Sequence, residues 1–73
     1  MSKLEQYFQS KNFKDALIKQ LKELSLHANT AILNIVDGKY NDAYSEMFII
    51  EALARSLRIL FDAMISKESE IAK

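Results

Sequence analysis

Two sets of polar residues share one spacing. Glu51, Arg55, Arg58 and Asp62 fall at i, i+4, i+7 and i+11, and Glu23, His27, Thr30 and Asn34 fall at the same intervals. On a helix each set forms one stripe. If the stripes lie on antiparallel neighbours joined near Gly38, facing residues have numbers summing to about 77–78. Glu23 then faces Arg55, and His27 faces Glu51. As a reaction site this offers a His–carboxylate pair for proton transfer and two guanidinium groups for an anion. As a surface it is a solvated face laced with the i,i+4 pairs Glu51–Arg55 and Arg58–Asp62, each worth a few tenths of a kcal/mol. The surface account needs no pocket, and a lone histidine beside a carboxylate is usually structural. The polar stripe is therefore expected to be surface, and the chain is expected to be no enzyme.

Other chemistries fail on composition. The 73 residues include no cysteine, no proline, one histidine and one glycine. No thiolate metal site or disulfide can form, and a multi-histidine site would need more than one chain. Placing Gly38 at the glycine of a calcium loop puts ligand positions on Leu33, Ile35 and Asp37 and the closing glutamate on Tyr44; two apolar ligands rule this out. A P-loop ends in Gly-Lys-Ser/Thr after a strand, and Gly38-Lys39-Tyr40 meets neither condition. Helical nucleases of the HEPN type place a histidine shortly after an arginine, whereas His27 precedes both arginines. No serine sits on a glycine elbow, and no cofactor is expected.

Charge leaves one further possibility. Lys3, Lys11, Lys14, Lys19 and Lys22 outweigh Glu5 and Asp15, so residues 1–22 carry a net +3 and the rest a net −3 in a chain of formal charge zero. A small nucleic-acid- or anion-binding accessory protein could use this segment or the arginine stripe. The polarity is milder than a nucleic-acid footprint, and Asp15 and Glu23 interrupt it.

The elements that position these residues are helical. Hydrophobic residues make up 49% and charged residues 27%, the balance of a globular domain. Ser2 and Glu5 have capping-box spacing and open a short helix over 3–9, with Leu4, Tyr7 and Phe8 on one face. Asn12 is a candidate N-cap for a long helix over 12–36. Its apolar stripe is Phe13, Leu17, Leu21, Leu24, Ala28, Ala31 and Ile35. Gly38 stands where a helix ends with φ > 0, and Asp37 or Asn41 would cap the next helix, over 41–66. There the stripe is Ala43, Met47, Ile50, Ala54, Leu57, Phe61 and Met64. The polar tail 67–73 is expected to fray. The spacing predicts one all-α domain over 1–73, a long antiparallel hairpin with helices of about 37 Å.

The turn carries a resemblance. Ala31, Gly38, Tyr40, Ala43 and Met47 are spaced as in a single tetratricopeptide helical hairpin, which small archaeal helical-hairpin proteins of unknown function also resemble. The resemblance implies that Tyr40 tucks under the turn and that Ala43 permits close helix contact.

The second long helix has more apolar surface than one neighbour can cover. Phe48, Ile49, Ala52, Ser56, Ile59 and Ala63 form a further line, expected to be a self-association seam. One core in a chain of this size rarely supplies more than about 3–5 kcal/mol. The expected protein is a self-associating, non-enzymatic helical-hairpin interaction module, a homodimer or higher homo-oligomer closing a four-helix bundle, with a protein partner also open to it. No apolar run reaches the length of a membrane span, and no secretory apolar region precedes the first helix; the expected location is cytoplasmic.

Overall fold

The computed structural model describes the backbone of residues 3–72 and the side chains of Lys3 and residues 6–66. The Ser2–Glu5 capping box and the Leu4 side chain lie outside the described residues. Three helices follow in order: α1 (Lys3–Gln9), α2 (Lys11–Val36) and α3 (Tyr40–Ala72). No strand occurs among the described residues.

One residue, Ser10, separates α1 from α2. Its extended backbone lets the hydroxyl accept from the Phe13 N–H at 3.2 Å while donating to the Tyr7 carbonyl at 2.7 Å. Ser10 therefore caps α2 in place of Asn12, and α2 starts at Lys11. One hydroxyl serves the last turn of α1 and the first of α2, so no longer linker is required. The break folds α1 onto the start of α2. Tyr7 and Phe8 place their ring centres 5.1 and 5.0 Å from that of Phe13, and Phe13 is 2% exposed.

The turn between the long helices is a Schellman motif. Gly38 has φ +74°. Its N–H donates to the Ile35 carbonyl at 3.0 Å, and the Lys39 N–H donates to the Asn34 carbonyl at 2.7 Å, satisfying carbonyls that a helix end leaves free. Neither Asp37 nor Asn41 caps α3. Asp37 is consumed as the C-cap of α2, Asn41 already lies within the first turn of α3, and the Lys39 carbonyl accepts the first helical bond, from Ala43, at 3.1 Å. Tyr40 does not tuck under the turn; it is exposed at the start of α3. At its other end α3 continues to Ala72, past the expected limit at 66. Lys67, Glu68, Glu70 and Ala72 are strong helix formers, and neither glycine nor proline intervenes.

The long helices meet along a heptad seam. On α2 it consists of Phe13, Leu17, Gln20, Leu24, His27, Ala31 and Asn34; on α3 of Ala43, Glu46, Ile50, Leu53, Leu57, Leu60 and Met64. Each is buried or half-buried, but only Phe13, Ala31, Ala43 and Leu57 are buried rather than half-buried. This corrects the expected stripes. Leu21 and Ile35 on α2, and Met47 and Ala54 on α3, are exposed, while Gln20, His27, Asn34 and Glu46 take inward places. An apolar count cannot separate two adjacent lines when both are apolar. The structure turns inward the line that contains polar residues and leaves the more uniformly apolar one uncovered.

The result is a plank of 52 × 20 × 14 Å with a radius of gyration of 16.3 Å, against roughly 11 Å for a compact domain of this length. α1 contacts both long helices. No helix is long and apolar enough to cross a membrane among the described residues.

A Cβ added at Gly38 meets nothing within 4 Å, so only backbone strain opposes a side chain there. Gly38→Ala should destabilise by about 1 kcal/mol in urea denaturation. Gly38→Asn should lose less, because asparagine tolerates this region. Equal stability of wild type and Gly38→Ala would contradict the turn.

Candidate functional site

The polar residues are not gathered into one site. The only side-chain hydrogen bond between α2 and α3 among the described residues joins His27 to Glu46, with Nδ1 2.5 Å from Oε2. A ring N–H donating to the carboxylate fits this geometry. The two side chains are 32% and 19% exposed. The expected partner, Glu51, instead lies 3.6 Å from Arg55 on its own helix, and Arg58 donates to Asp62 at 3.2 Å. These i,i+4 pairs are exposed, as the surface account of the stripe has it. Glu23 is exposed and forms no ion pair with Arg55.

The turn explains the altered register. In both Asn34–Lys39 and His27–Glu46 the residue numbers add to 73, not the expected 77–78. The Lys39 N–H folds back to the Asn34 carbonyl, so α3 begins level with Asn34 rather than with the end of α2. Every later pair shifts accordingly, and Glu46 arrives opposite His27. Sequence reasoning missed Glu46 because it counted apolar residues. The available signal was heptad spacing: Glu46 stands three residues after Ala43 and four before Ile50.

Much of the remaining surface is apolar. Fifteen large apolar side chains are exposed among the described residues, against four buried hydrophobic ones. In an antiparallel pair, positions one residue after each seam residue fall on the same broad side of both helices. That side holds Ile18, Leu21, Ile32 and Ile35 of α2, with Tyr40, Tyr44, Met47 and Ile65 of α3, all exposed, interspersed with Lys14, Ser25, Glu51 and Arg58. The opposite side holds Leu26, Leu33, Ile49 and Ile59, interspersed with Lys19, Glu23, Thr30, Ser45 and Ser56. Gln20, His27, Asn34 and Glu46 occupy the half of the seam nearer this second side. The expected self-association residues Phe48, Ile49, Ala52, Ser56, Ile59 and Ala63 are all exposed, on the second side and on the outer surface of α3.

A shallow open depression on α3 is lined by Phe48, Glu51, Ala52, Arg55 and Ser56, residues of a single helix. No cluster of His, Asp or Glu suited to a metal occurs among the described residues. Lys11, Lys14, Lys19 and Lys22 are exposed on α2 with Asp15 among them.

The His27–Glu46 pair places two polar groups at a half-buried apolar seam, where removing one partner strands the other. At fixed protein concentration, His27→Leu and Glu46→Leu should each destabilise by about 1–2 kcal/mol, and the double variant should recover at least wild-type stability. Strictly additive losses in urea denaturation would remove the pair from any structural role. Arg58→Ala should change stability by less than about 0.5 kcal/mol, since its partner is solvated. No protein-family model, curated protein or solved structure matches the chain.

Proposed function

We propose that the chain is a non-enzymatic helical-hairpin interaction module that works by self-association, with two copies closing a four-helix bundle. The observation that carries this reading is the excess of uncovered apolar surface. Polar and apolar surface together, the single chain exposes 5773 Å², whereas a compact monomer of 8.4 kDa exposes about 4,600 Å². The surplus of roughly 1,200 Å² is of the order that one partner loses in a stable dimer. Two antiparallel helices form one layer, and a second layer supplies the missing half of a core. The tetratricopeptide-like spacing at the turn agrees with a role in helix packing.

Sedimentation equilibrium tests the reading. The wild type should sediment as a homodimer at micromolar concentration, and helicity should fall as the dimer is diluted. Apolar docking should persist between about 50 mM and 200 mM salt, where phosphate contacts weaken steeply. A folded monomer at every concentration would overturn the reading. Salt-sensitive binding of a nucleic acid by that monomer would point to the basic segment or the arginine stripe instead.

A further inference from the structure

We infer that the second copy docks on the broad side carrying Leu21, Ile32 and Ile35 of α2 with Tyr44 and Met47 of α3, rather than on the Phe48–Ala63 line expected from the sequence, leaving the His27–Glu46 pair on the outer, wetted side of the bundle. This rests on the self-association reading and specifies its surface. Eight of the exposed large apolar residues lie on this side and four on the other. From Leu21 to the turn, the intervening positions on α2 are Ser25 and Ala28, so α2 brings no charge to be desolvated there. On α3 this side carries Glu51 and Arg58, which keep their i,i+4 partners Arg55 and Asp62, whereas the opposite side would bury His27, Glu46 and Glu23 without further partners.

The occupant is a second copy for three reasons. Each long helix adds this line to its seam, giving the three apolar positions per heptad typical of a helix in a bundle core. Two hairpins supply four long helices of similar length, joined in pairs by short turns. The formal net charge is zero, so copies do not repel at long range, and the surplus surface matches one half of a dimer interface. A two-fold axis then presents the same face twice.

The chain has no cysteine, so single-cysteine variants report each side without background. Met47→Cys should react with iodoacetamide at least about 10-fold more slowly in the dimer than in diluted protein, while Ile59→Cys keeps its rate. In sedimentation, Met47→Asp should weaken dimerisation by about 30-fold or more, and Ile59→Asp by less than about 3-fold. If Met47→Asp unfolds, the cysteine rates still decide. Protection of Ile59→Cys with Met47→Cys left reactive, in a protein that does dimerise, would overturn this face but not self-association. A wild-type monomer would overturn both.

Discussion

Two helices lying side by side can bury only one stripe of each. That limit governs the whole molecule. Packing two further helices against the first pair would enclose a core, but the hairpin has one short helix to add, and α1 lays its aromatic rings on Phe13 at the start of α2. The long helices must therefore either be polar over most of their surface or expose apolar groups. α3 exposes them. Among the described residues burial is confined to four hydrophobic positions, and conformational order along helices this long exceeds what so thin a core usually sustains. If two copies associate as proposed, folding and association form one process.

Within this limit the seam divides its labour. The positions nearer the apolar side, Leu17, Leu24, Ala31, Ala43, Ile50, Leu57 and Met64, are all hydrophobic. Those nearer the other side include Gln20, His27, Asn34 and Glu46. Apolar contacts alone tolerate sliding, because Leu and Ile at neighbouring layers are nearly interchangeable. A hydrogen-bonded His27–Glu46 pair does not, since a slip by one heptad breaks it: Glu46 then faces Gln20 or Asn34, and His27 faces Lys39 or Leu53. The pair acts as a register mark between helices, and its partial exposure lowers the cost of keeping polar atoms in the seam.

Helix existence and the turn were legible in the sequence. Periodicity delimited α1 and the body of both long helices, and the lone glycine located the reversal with its positive φ. Ends were less legible. Ser10 outcompetes Asn12 because its hydroxyl also reaches back to Tyr7, a contact visible only once α1 is in place. The rotation of the helices about their axes was not legible at all. Leu21, Ala28 and Ile35 form as good an apolar line as the residues beside them, and Met47, Ala54 and Phe61 do the same on α3. Local pattern cannot state which line meets the neighbouring helix and which is left over. The partner of His27 was missed for the same reason, compounded by a turn that reverses one helical step earlier than its midpoint suggests.

The bond from Lys39 to Asn34 has a wider consequence. Successive residues on a helix are separated by about 100°, so the length of the Asp37–Lys39 connection fixes not only where α3 starts but which way it faces. One residue fewer would turn the Tyr44 and Met47 line toward α2; one more would bring in Ile49 and Ile59. The connection is thus a rotary setting that assigns one face of α3 to the fold and leaves another uncovered. A change of a single residue in its length could exchange those assignments while leaving the composition of both helices untouched.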